Sequence, residues 1–157
     1  MKEHRITVRG DAANLPALTA FLQDFWSRAG LPAAAAATFE LALEEVFMNV
    51  AMHGSRADAQ PRVEVSLALV DGGVSLIIED DGPAFDPLAL AAPDVTASLE
   101  SRPVGGLGVF LVRQMMDGVG YQRLGGCNQL RMTKHLPGNA GAGAGSADLS
   151  KRPGEMG

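Results

Sequence analysis

The stretch from residue 39 to residue 54, FELALEEVFMNVAMHG, restricts the possible folds of this chain more than any other. At ~100° per residue, a helix here turns Phe39, Leu43, Val46 and Val50 onto one face. Leu41, Met48 and Met52 fall on nearly the opposite one, so little polar circumference is left for water and a helix buried on most sides is expected. Glu45, Asn49 and His53, at i, i+4 and i+8, form a narrow polar stripe between the two apolar faces, where an unpartnered carboxylate is costly. Two readings fit the stripe: a cation or ligand compensates it, or it is a solvated edge carrying an ordinary polar pair.

A chain of 157 residues suits one domain, and 46% hydrophobic with 20% charged residues gives a soluble protein enough apolar mass for a core. The net charge of -5 and the pI near 5.1 argue against a surface that grips a nucleic acid backbone, while leaving basic protein surfaces as partners. Cys127 is the single cysteine, so no internal disulfide forms. Neither a secretory start nor a long apolar run is present, so no membrane partner is expected and the cytoplasm is the expected compartment.

Residues 2–9 alternate, with Ile6 and Val8 on one face, and predict a half-buried strand. Asn14 is the expected N-cap of a helix whose Leu15, Leu18, Leu22, Phe25, Trp26 and Ala29 recur at helical spacing until Gly30. Phe25 and Trp26 could serve a partner, but aromatic residues at this spacing are expected in a core. Pro32 restarts a helix that runs to about Met52. Residues 62–70 and 74–80 then alternate on either side of Asp71, Gly72 and Gly73, which predicts a hairpin with Val74, Leu76 and Ile78 inward. The same parity turns Asp80 inward, either as an acceptor for loop amides or as a ligand contact; Gly82, two residues on, favours the ligand.

From residue 82 to 105 the pattern dissolves, and so long a connection is expected to be a lid. Gly105, Gly106, Leu107 and Gly108 open a helix through Met116 that ends near Gly118; such glycines admit an anion to backbone amides or serve close packing. Residues 119–124 and 129–136 read as a last hairpin around a turn at 125–128. Beyond Leu136 the chain has almost nothing large and apolar to bury, so residues 137–157 are expected to be a disordered tail after a domain of residues 1–136.

Three motifs carry a resemblance over most of residues 2–136. E-x-x-x-N from Glu45 to Asn49, followed by His53-Gly54, resembles the N box of the GHKL ATPases. EDDGPAFDP from Glu79 to Pro87 resembles their G1 box, and GGLGVFLVRQMMD from Gly105 to Asp117 their G2 box. Within that superfamily the chain looks like the anti-sigma-factor serine/threonine kinases of bacterial partner-switching systems. The resemblance implies the Bergerat fold, an α/β sandwich whose mixed, mainly antiparallel sheet is covered by helices on one face. It implies ATP and Mg²⁺ as cofactors. By analogy, Asp80 accepts from the adenine amino group, Asn49 holds Mg²⁺ and Glu45 is the general base, while Glu44, rotated ~100° away, does not substitute for it. Gly82, Gly105, Gly106, Leu107 and Gly108 would flank nucleotide and phosphates. Arg102 would neutralise γ-phosphate charge or be a solvated loop charge, and Thr133 would lie on the adenine side. His53 is expected to cap or bond near its helix end. Two positions depart from the wider pattern: Ala84 stands where D-x-G-x-G has its second glycine, and Met48 precedes the asparagine where some relatives carry threonine.

The resemblance implies a kinase that phosphorylates an anti-anti-sigma (STAS) protein, sequesters a sigma factor and forms a homodimer. A rival reading is a non-catalytic module that uses ATP only to set its conformation, and retention of Glu45 favours the kinase. The catalytic half of a histidine kinase is a third, disfavoured because upstream dimerising helices and a phospho-acceptor histidine are not seen.

Overall fold

The computed structural model describes residues 3–53, 59–89 and 106–137. Most of the expected lid, with Arg102 and Gly105, and the tail beyond Pro137 lie outside the described residues.

The chain runs β1 (His4–Arg9), α1 (Leu15–Arg28), α2 (Ala33–His53), β2 (Arg62–Val70), β3 (Gly73–Asp80), α3 (Gly106–Met115), β4 (Gly118–Leu124) and β5 (Cys127–His135). The sheet order is β1-β2-β3-β5-β4, and β5 pairs with both β3 and β4. Every pairing among the described strands is antiparallel, so the α/β sandwich is as expected while the expected mixed sheet is here purely antiparallel. Register stacks one row of large apolar side chains across four strands: Leu67 opposite Leu76, Leu76 opposite Met132, and Met132 opposite Val119. A second row runs Val65, Ile78, Leu130 and Tyr121.

Period-2 alternation gives these rows one face, and the helices lie on it. Leu18, Leu22 and Phe25 of α1 and Phe39, Leu43 and Phe47 of α2 are almost wholly buried, each stabilising the fold by about 1.5–3 kcal/mol relative to exposure. The expected core role of Phe25 and Trp26 holds. The Trp26 ring lies 5.0 Å from that of Phe39, and its indole N–H donates to Pro32 O at 2.8 Å, which ties the α1–α2 turn to the core. Gly30, at φ 67°, supplies the left-handed residue that ends α1.

Three local expectations are corrected. Asn14 does not cap α1 with its side chain: its amide donates to Arg9 O, and Asp11 instead accepts from Ala13 N to open a short 3-10 turn at Ala12–Asn14. The helix α2 is buried along one broad face and not on most sides, since Leu41 and Met48 are half-buried and Met52 is 52% exposed. The last hairpin turns on Gly125 and Gly126 alone, both at positive φ (58° and 82°), as a tight two-residue turn demands. That moves Cys127 and Asn128 from the turn into β5.

Candidate functional site

The C-terminal turns of α2, the ends of β3 and β5 and Tyr121 of β4 line a small pocket that opens to solvent. Val46 and Val50 of α2, Ile78 and Leu130 of the sheet, and Phe85 and Pro87 supply its apolar lining. Four polar side chains converge on these apolar walls: Asn49, Asp80, Tyr121 and Asn128.

Asp80 reaches the cavity for the reason its parity suggested, being two residues beyond Ile78 on the inward face, and it is 6% exposed. Of its two expected roles, the acceptor for a loop amide is the one seen. Its Oδ1 accepts from Gly82 N at 2.9 Å and from Asn128 Nδ2 at 3.1 Å. Among the described residues no donor reaches Oδ2. Gly82 therefore acts through its amide on Asp80, and its carbonyl accepts from Arg123 at 2.9 Å.

Asn49 is 5% exposed, and its Nδ2 is buried without a hydrogen-bond partner. An unpaired buried amide donor costs about 1–3 kcal/mol. One turn earlier, Glu45 lies half-buried against α3. A Cβ on Gly108 would run into the Glu45 carboxylate, so only glycine at that position leaves the side chain where it is. Burial pushes the Glu45 carboxyl above its ordinary pKa, and the exposed Glu44 beside it adds to the rise. A carboxylate raised in this way is better matched to accepting a proton near neutral pH.

Gly106 and Leu107 open α3 next to this carboxylate, where helix amides and the positive end of the dipole favour an anion. Arg102 and Gly105 lie outside the described residues. Thr133 is not brought to the cavity. It shares the parity of Gln129 and Arg131, opposite that of Asn128, Leu130 and Met132, and pairs with Ser75 and Gly118. The ring of His53 does not cap α2 but stacks on Phe85, with centroids 4.7 Å apart and planes 18° from parallel.

Sequence reasoning missed Asn128, Tyr121, Phe85 and Arg123. The signal for Asn128 was present: a two-residue Gly-Gly turn extends β5 backward, and the parity of Leu130 and Met132 then turns Asn128 inward, opposite Asp80.

Asn49 and the inward Asp80 thus line one cavity, and one turn back on α2 Glu45 packs against the glycine-opened helix α3, so the three motifs lie close together. Residues 8–134 match the family model of the histidine kinase-like ATPase domain. The chain is 32% identical over 114 residues to the serine/threonine-protein kinase BtrW of Bordetella bronchiseptica, covering 73% of this chain and 77% of that one. It is 29% identical over 105 residues to the serine-protein kinase RsbW of Bacillus subtilis, covering 63% of this chain and 64% of that one, a little under two thirds of the relative's length. In fold it is similar to the RsbU and RsbW domains of Rv1364c from Mycobacterium tuberculosis, with a TM-score of 0.62 and 17% identity over 87% of this chain and 33% of that one. The resemblance expected from the three motifs is borne out, and the chain belongs to the histidine kinase-like ATPase domain family.

Proposed function

We propose that this chain is an ATP-dependent serine/threonine protein kinase that phosphorylates an anti-anti-sigma (STAS) protein and, as an anti-sigma factor, sequesters a sigma factor. The observation that carries the reading is the pair Glu45 and Asn49, one turn apart on α2, with the unpaired Asn49 amide lining the cavity into which Asp80 faces. The names of the two kinase relatives support the reaction class. The STAS substrate, the sigma factor and a homodimer rest on the resemblance of the motifs alone.

Each residue has a separable task. The open oxygen of Asp80 accepts from the exocyclic amino group of adenine, which guanine cannot offer at that place. Val46, Val50, Ile78 and Leu130 exclude water around the base. Asn49 would hold a magnesium ion through its amide oxygen, since a hard cation takes oxygen ligands and completes its shell with phosphate and water, and its unpaired Nδ2, a donor, would serve a phosphate oxygen. Such an ion would neutralise charge on the phosphates. Glu45 takes the proton of the attacking seryl or threonyl hydroxyl as its oxygen bonds to the γ-phosphorus and the bond to ADP breaks. The α3 amides favour the phosphate charge.

The test is incubation with labelled ATP and a STAS-domain protein. Label transferred to a seryl or threonyl residue of that protein is the expected result. Binding of ATP with no transfer to any STAS partner would leave a nucleotide-gated binding module in place of the kinase.

A further inference from the structure

Asn128 is a buried side chain, 6% exposed, to which neither the motifs nor the reaction above gives a role. Its Nδ2 donates to Asp80 Oδ1 at 3.1 Å and to Pro83 O at 2.8 Å. Its Oδ1 accepts from Phe85 N at 3.1 Å and from the Tyr121 hydroxyl at 2.6 Å. Two donors and two lone pairs are all that a carboxamide has, so every one is used. The orientation follows: turned over, the oxygen would face a carboxylate and a carbonyl, and the amino group would face a backbone N–H.

The consequence falls on Asp80. With Gly82 N and Asn128 Nδ2 both on Oδ1, the carboxylate, which lines the cavity, cannot rotate without breaking two hydrogen bonds, and Oδ2 has no donor among the described residues. The loop at 82–85 is fixed by the same hairpin, through Arg123 on the Gly82 carbonyl and Asn128 on Pro83 and Phe85. Asn128 and Tyr121 thus aim the acceptor and the loop beside it together.

We propose that Asn128, braced by Tyr121, is a positioning residue for base selection. It aims the free oxygen of Asp80 so that a purine bearing an exocyclic amino group is accepted and one bearing an oxo group in its place is rejected. The proposal rests on the reading of this cavity as the adenine site. A site that hydrogen-bonds its ligand discriminates only while the bond is well aimed, so loss of aim lowers discrimination before it lowers folding.

The experiment is calorimetric affinity for ADP and for GDP, each with Mg²⁺, alongside the thermal midpoint, for the full chain and for Asn128→Asp and Tyr121→Phe. Asn128→Asp keeps the shape and the acceptors for Phe85 and Tyr121 but replaces the donor to Asp80 with an oxygen. It should lower the ADP-to-GDP affinity ratio by about tenfold, and Tyr121→Phe should lower it by about threefold with an unchanged midpoint. A wild type that does not prefer ADP refutes the adenine reading itself, whatever the variants do. A wild type that prefers ADP, with folded variants that keep its ratio even if both affinities fall together, overturns the role of Asn128. Should Asn128→Asp fail to fold, Tyr121→Phe decides alone, and an unchanged ratio overturns the proposal.

Discussion

The two ends of the cavity are built on opposite principles. At the Asp80 end the protein satisfies itself: Asp80, Asn128, Tyr121, Gly82 and Phe85 are joined by hydrogen bonds of 2.6–3.1 Å, and one carboxylate oxygen is left over. At the Asn49 end it does not. Among the described residues the Asn49 Nδ2 is buried without a partner, and the Glu45 carboxylate, one turn back from the cavity and half-buried beside Gly108, has no hydrogen-bond or ion-pair partner. A closed network preorganises a contact before the ligand arrives, whereas unpaired groups leave stabilisation to be gained when it does. On the proposed reading, the Asp80 end selects the ligand and the other end acts on it.

The sharpest way to break this contrast is to truncate the unpaired pair. Glu45→Ala should lower phosphoryl transfer by about 10²- to 10⁴-fold with Mg-ATP affinity nearly intact, at the low end of that range if the transition state is loose. Asn49→Ala should lose both transfer and affinity. Single-turnover phosphorylation of a STAS partner, measured beside nucleotide affinity, checks both. Transfer at the wild-type rate by Glu45→Ala would make the carboxylate a structural member of its stripe.

Gly108→Ala tests the same end from α3. The added methyl meets a flexible side chain and not backbone, so Glu45 gives way and the fold holds. A displaced base costs rate: transfer should fall by about 10- to 100-fold while the thermal midpoint stays within a few degrees. Unchanged transfer would show that the position of Glu45 does not matter.

The same contrast governs how far the sequence could be read. Glu45 and Asn49 were legible because helical periodicity puts i and i+4 on one stripe, and Asp80 because strand parity carries on from Ile78. The closed network was not legible, because it depends on which strands meet: nothing local to Asn128 says that β5 pairs with β3 so as to set it opposite Asp80. Thr133 failed for the complementary reason, since a residue of the right type in the right strand has the wrong parity. The outer row of α2 misled because apolar residues on a helix do not state whether anything covers them, and Met52 is exposed.

A smaller effect should appear in stability without ligand. Asn49→Leu replaces an unsatisfied buried amide with an apolar group of similar size, so the free protein should be unchanged or gain about 1 kcal/mol while Mg-ATP binding is lost. Denaturant unfolding of the two proteins without nucleotide measures it. A loss of several kcal/mol would mean that the amide is paired in solution and that this end of the cavity is as closed as the other.

The smallest expected effect is a shift along the pH axis. Burial, aided by Glu44, raises the Glu45 carboxyl above the ordinary glutamate range, and the base acts only when ionised. Transfer should therefore fall as pH drops through the raised value, with its midpoint above that of an ordinary glutamate, and Glu45→Ala should lack this limb. For stability the sign is opposite. Between the unfolded and the raised folded value the native state binds more protons than the unfolded one, so the contribution of Glu45 is present below the unfolded value and lost as pH rises through the folded one. Glu44→Gln removes the second cause of the rise and should move the rate limb toward lower pH, leaving the larger burial component in place. A limb that does not move in Glu44→Gln, with one still present in Glu45→Ala, would assign the titration to another group and leave Glu45 without the role that its unpaired carboxylate suggests.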